Sequence, residues 1–333
     1  MIKYLVSIAI TALTASVALG DEAGWERTVT AAKKEGSVVL YGGLAGAEQE
    51  EIIRNFERQY GIKVQWFQAR QSETNTRIRS EQAAGRYVAD VLQSAKVVVD
   101  GLAEEGIVSS PSEIPNQHQL RIAVQPKQGL PTLMLTHGIL VNTDLVSADH
   151  VPKKWSDLLD PYWRGKVVMD DPTAGGAAIG LFEAAYEKFG KQFWITLAQS
   201  KPDLTVNNRE AERQVARGEY SAYFPHMLSY ALKLDGLPVK WVVPSEGAIF
   251  AQFDAAVFKN SPHPNAALVF INYLLDKKSQ LAYGNGGYVP VINGLENELN
   301  PSVRDLVPTK FLGTSTRERY PFMISEAKGL FGK

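Results

Sequence analysis

Short apolar runs alternate with amphipathic ones along this chain, and that alternation restricts the fold more than any other feature. Ser37, Val38, Val39, Leu40 and Tyr41 read as a buried strand entering the glycine-rich turn Gly42, Gly43, Leu44, Ala45, Gly46. Residues 48–60 follow with Ile52, Ile53, Phe56 and Tyr60 on one side of a helix, which Gly61 ends before a strand over 62–67. A helix over 73–84 precedes the strand Asp90, Val91, Leu92. Strand, loop and helix in that order predict an α/β fold with a mostly parallel sheet, helices on both faces, and ligands beyond the carboxyl ends of the strands.

Between residues 109 and 131 the chain turns polar and proline-bearing, and strand character resumes over 132–135 and 138–141 ahead of Asn142. This is read as a crossing into a second lobe. That lobe shows its own alternation: a strand over 166–169, helices over 176–189 and 210–217, and a strand over 220–224. A return crossing falls at 247–254, and Pro262, His263, Pro264 and Asn265 open a helix through Leu275. The expected division is a leader at 1–20, a first lobe at 21–138, a second at 139–250, and a return to the first at 251–333.

The apolar run after Lys3 carries Ser7, Thr11, Thr14 and Ser16 and closes on Ala18, Leu19, Gly20, the layout of a cleavable export signal. A membrane anchor would want about 20 predominantly apolar residues. Export predicts a soluble periplasmic monomer. Cysteine is absent, so disulfides, thiolate metal sites and cysteine nucleophiles are excluded. A net charge of −1 with no basic stripe argues against nucleic acid. G-x-S-x-G, H-E-x-x-H and P-loop patterns are all missing, which leaves catalysis no motif and calls for no cofactor.

Several stretches, taken in order, resemble the extracellular solute-binding proteins of ATP-binding-cassette (ABC) importers, in the branch that includes ferric-ion-binding proteins. They are 31–36 running into Val38 to Tyr41, 56–64 (FERQYGIKV), Ala89-Asp90-Val91, 155–166 (WSDLLDPYWRGK), Asp171-Pro172-Thr173, Gly218-Glu219 and 262–270 (PHPNAALVF). The resemblance implies a two-lobed type II periplasmic-binding-protein fold joined by two crossing strands. It further implies a ligand in the interlobe cleft, closure on binding, and delivery to importer membrane subunits. Ferric-binding relatives hold iron through adjacent tyrosines plus a histidine and a glutamate. At the matching positions this chain has Leu228-Ser229, Ala45 and Ala95, so no metal site is expected. An improvised one from Tyr223, His226 and Tyr230 keeps iron as the alternative. A sensor subunit that presents ligand to a membrane receptor is another.

Candidate ligand contacts sit at predicted strand ends. Tyr41, Gly42 and Gly43, and across from them Thr173, Gly175 and Gly176, form turns whose backbone N–H groups favour an anion, unless the glycines serve only turn shape and packing. Arg70 could grip a carboxylate with its planar fork, and Ser72 caps the next helix or donates to ligand. Gln93 and Ser94 occupy another strand end, and Asn208 and Arg209 open a helix of the second lobe. Tyr223, Phe224 and His226 are read as a stacking wall, and His137 lies near the first crossing. Together these favour a small organic acid or a phosphonate; a polyamine or a sugar stays open.

Overall fold

The computed structural model describes residues 9–44, 46–122, 124 and 129–332, and the chain divides into two compact units. Unit 1 takes the chain up to Ser94, then Val98–Pro131 and Asp254–Ser279; unit 2 takes Ala95–Val97, Thr132–Phe253 and everything from Gln280.

In chain order the first elements are α1 (Ala9–Glu35), β1 (Ser37–Gly42), α2 (Ala47–Tyr60), β2 (Lys63–Phe67), α3 (Gln71–Ala83), β3 (Val91–Ala95), α4 (Lys96–Glu104) and β4 (Val108–Ser109). Then come β5 (Leu130–Asn142), β6 (Val167–Asp170), α5 (Gly176–Phe189), α6 (Lys191–Gln199), β7 (Asp203–Thr205), α7 (Asn208–Ala216), β8 (Ala222–Met227) and α8 (Leu228–Ala231). The chain finishes with β9 (Val239–Val242), β10 (Ala248–Phe258), α9 (Pro264–Leu274), α10 (Lys277–Asn285), α11 (Pro301–Arg304), β11 (Phe311–Gly313) and α12 (Tyr320–Phe331).

In unit 1, β1 is central and runs parallel to β2 on one side, Ser37 opposite Lys63, and to β3 on the other, Leu40 opposite Val91. Its continuous apolar run fits a strand covered on both faces. The α2 side chains Ile52, Ile53 and Phe56 that sequence periodicity placed on one face are all buried. Asp90, fully buried, ties the unit together. Its carboxylate accepts from Val39 N at 2.7 Å, Ser261 Oγ at 2.6 Å, His263 N at 2.8 Å and His263 Nδ1 at 2.9 Å. The Glu35 carboxylate at the end of α1 accepts from Asn265 N and Ala266 N, occupying the start of α9 where orphan donors need a partner.

In unit 2 the order is β5-β8-β6-β7, with β8 antiparallel to β5 and parallel to β6, and β9 on the other edge of β5. Trp155, Phe182, Trp194 and Phe224 anchor its core.

A single helix runs from Ala9 to Glu35, and residues 1–8 of the expected leader lie outside the described residues. One boundary differs from the sequence reading. The stretch 251–333 was assigned to the first lobe, whereas the chain from Gln280 belongs to unit 2. The reason is apolar: Met323 and Ala327 of α12 are buried in the same core as Trp194, and the helix lies on α5 and α6. Among the described residues no helix is long and apolar enough to cross a membrane.

Candidate functional site

Unit 1 offers the carboxyl end of β1. Tyr41, expected at the ligand, is instead buried beneath the turn, its hydroxyl donating to both Glu81 carboxylate oxygens at 2.9 Å. Arg77 pairs with Glu81 at 2.8 Å and spreads over the Phe67 ring at 4.1 Å. Burial first, then the neighbouring Glu81, pushes the Tyr41 phenol up to about 12. The side chain therefore stays neutral and structural.

The turn above it is spent differently from the sequence expectation. Gly43 N–H donates to Gln93 O at 2.7 Å, and Trp66 Nε1 donates to Gly42 O at 2.6 Å, so these groups serve the turn itself. Gly42, at φ 83°, lies so close to β3 that a Cβ would overlap the Gln93 carbonyl oxygen. What remains is a small polar floor: Gly43 is bordered by the Gln93 and Gln49 side chains and the Trp66 indole. Gln93 is fully buried and Ser94 half-buried. Position 45 lies outside the described residues, and Ala95 ends β3 with a methyl group.

Arg70 is exposed at the start of α3, where it takes the N-cap place without a side-chain bond. Ser72, expected as the cap, is the second residue of the helix and exposed.

In unit 2 the 3₁₀ turn Pro172–Ala174 is closed by Asp171, whose carboxylate accepts from Thr173 N at 2.8 Å and whose carbonyl accepts from Ala174 N. The Thr173 amide is thus committed to the turn rather than free for an anion. Gly175 follows at φ 90°, a conformation that L side chains avoid, and a Cβ there would stand 2.5 Å from Tyr320 Oη. The Gly176 start of α5 has no side-chain cap. Tyr320, the first residue of α12, was not anticipated: the tail was read into the other lobe.

Behind this turn lies a polar network. Tyr223, 0% exposed, donates its hydroxyl to Asp170 Oδ1, and Asn208 donates to Asp170 Oδ2 at 2.9 Å. Burial pushes the Asp170 carboxyl up to about 6, and the bonds from Tyr223 and Asn208 only partly offset it. Burial and the Asp170 charge push the Tyr223 phenol well above its ordinary range. Arg209 pairs with Glu212 at 3.1 Å, and Glu212 meets His226 Nε2 at 3.2 Å. Burial raises the Glu212 carboxyl, but His226 and Arg209 outweigh it and leave it below its usual value. Burial lowers His226 despite Glu212, and burial with facing His226 lowers His137 to about 3.

Tyr223, Phe224 and His226 do not form an exposed wall. All three are buried in β8: Phe224 packs in the core of Trp155 and Trp194, and Tyr223 in a second cluster with Ala211 and Val215 of α7. His137 is buried opposite Met227 in β5. Leu228 and Ser229, at the positions of the expected tyrosine pair, are buried too, and Tyr230 carries the Arg209 guanidinium 3.8 Å above its ring. Among the described residues no group of at least three His, Cys, Asp or Glu side chains converges as metal ligands. Glu212 escaped the sequence reading. Glu212 had a signal, an acid beside Ala211 and Val215 on the apolar face of α7.

Residues 88–315 match the family described as bacterial extracellular solute-binding protein. The phosphoglycerate transport regulatory protein PgtC of Salmonella typhimurium is 28% identical over 162 residues, which span 46% of this chain and 41% of that protein. The spermidine/putrescine-binding periplasmic protein 1 of Haemophilus influenzae is 24% identical over 83% of this chain and 80% of its own. Iron-bound HitA from Pseudomonas aeruginosa superimposes with a TM-score of 0.70 at 21% identity, covering 89% of this chain and 99% of that one. The fold is that of the type II periplasmic binding proteins. With more than half of its length matched by one family, the chain belongs to the bacterial extracellular solute-binding proteins.

Proposed function

We propose that the protein, exported through a leader cleaved after Gly20, works as a periplasmic monomer. It captures a small anionic organic solute, a carboxylate or a phosphate- or phosphonate-bearing molecule, and hands it to the membrane subunits of an ABC importer. One observation carries the choice of an anion. The carboxylates near the strand ends, Glu81, Asp170 and Glu212, are each already hydrogen-bonded within the protein, and Arg70 and Arg209 are exposed. A polyamine would need unpaired acids in those places. The PgtC relative, named for phosphoglycerate transport, supports a phosphorylated acid, and its regulatory title supports a ligand-presenting sensor as the second reading.

Calorimetry against 3-phosphoglycerate, phenylphosphonate, citrate and spermidine tests the proposal. An acid should bind and be recovered chemically unchanged. Arg70→Ala should weaken it by about 1.5–3 kcal/mol, the worth of a charge-assisted hydrogen bond, and Arg77→Ala, whose guanidinium is tied to Glu81, by much less. Binding of spermidine alone would overturn the reading.

A further inference from the structure

The fold buries more polarity under α7 than stability alone explains. The Glu212 side chain is 6% exposed and the His226 side chain 1%, and burying such a pair is neutral or costly compared with apolar residues of the same shape. Arg209, by contrast, is 49% exposed, where a long side chain ordinarily samples many rotamers. Its guanidinium is held on two sides, by Glu212 Oε1 at 3.1 Å and by the Tyr230 ring at 3.8 Å, with Lys233 5.8 Å from the same ring centre. His226 faces Glu212 through Nε2, and its Nδ1 is buried without a partner. That geometry fits the neutral imidazole with its proton on Nε2, donating to Glu212 Oε2. The other groups nearby are His137, Tyr223 and, beyond Tyr223, Asp170.

We propose that Glu212 and His226 are positioning residues that hold the Arg209 fork rigid, leaving its remaining N–H donors aimed outward for a carboxylate or phosphate oxygen pair. This rests on the anionic reading of the ligand and identifies Arg209, next to Asn208 at the start of α7, as its unit 2 anchor. An Arg so restrained loses less entropy on binding, so affinity comes from preorganisation.

The experiment is ¹⁵N NMR on the whole chain, joined to calorimetry with 3-phosphoglycerate. In the native protein the His226 nitrogen shifts should report the Nε2–H tautomer, and the Arg209 guanidinium should give separate, slowly exchanging Nη–H signals. His226→Leu and Glu212→Gln should merge those signals and weaken 3-phosphoglycerate roughly tenfold. His226→Gln, which restores an N–H donor, should recover both. Merged Arg209 signals in the native protein, an Nδ1–H tautomer, or a folded His226→Leu with unchanged Arg209 signals would each overturn the proposal. If 3-phosphoglycerate does not bind the native protein, the functional reading fails, while the Arg209 signals still decide the positioning role.

Discussion

Asp170 makes the strongest thermodynamic case, because its environment opposes its charge. The carboxylate is buried, and although Tyr223 and Asn208 both donate to it, its pKa rises from 3.8 to about 6. The unfolded chain therefore releases the Asp170 proton near pH 4 and the folded chain only near pH 6. Within that window the native state binds more protons, so stability falls as pH rises from 4 to 6 and levels off above it. At 1.36 kcal/mol per pH unit, the charged form costs the fold about 3 kcal/mol at neutral pH. Asp170→Asn removes the titration while keeping the shape. The Asn oxygen still accepts from Tyr223, and the Asn208 amide turns over to present its oxygen. Urea unfolding followed by tryptophan fluorescence at pH 4 and pH 7 measures both proteins. The difference between variant and wild type should move by about 3 kcal/mol in the variant's favour from the lower pH to the higher. Other titrating groups cancel in that comparison. A difference that stays constant to within about 0.5 kcal/mol would refute the assignment of a raised pKa to this carboxyl.

Asp90→Asn should destabilise unit 1 by roughly 3–5 kcal/mol, because the carboxylate accepts four hydrogen bonds and an amide must oppose one donor with another; a loss below about 1 kcal/mol in urea would count against it. Gly42→Ala should lower the melting temperature, since the new methyl would overlap the Gln93 carbonyl at a φ that itself costs about 1–3 kcal/mol, and an unchanged melting curve would show the turn to be looser than described. Ferric citrate should leave the purified protein colourless, because Tyr223 is bonded to Asp170 and Leu228-Ser229 supply no phenolate; a visible tyrosinate-to-iron band with one iron per chain would count against this reading.

Much of unit 1 was legible because strand and helix periods are local: Ile52, Ile53 and Phe56 declare their face wherever α2 packs. The tail was not. Met323 and Ala327 mark α12 as amphipathic, but nothing in twelve residues says which core receives them. Tyr223 and Phe224 misled for a related reason. An aromatic run after a short strand reads as a surface wall, and only elements contributed from elsewhere in the chain reveal that both faces of β8 are covered: Phe224 packs in the core of Trp155 and Trp194, and Tyr223 in a second cluster with Ala211 and Val215 of α7. The polar residues follow the same rule. Asn208 and Arg209 were visible as donors at a helix start, whereas Asp170, which receives the Asn208 amide, lies 38 residues away, and Tyr223 a further 53 from Asp170. Buried charge is expensive, so a fold that keeps Asp170 and Glu212 behind two adjacent exposed donors spends stability on fixing those donors. Under the proposed anionic reading, neighbours at the start of one helix, each bonded to its own carboxylate, suit recognition of the oxygen geometry of an acid rather than merely its charge.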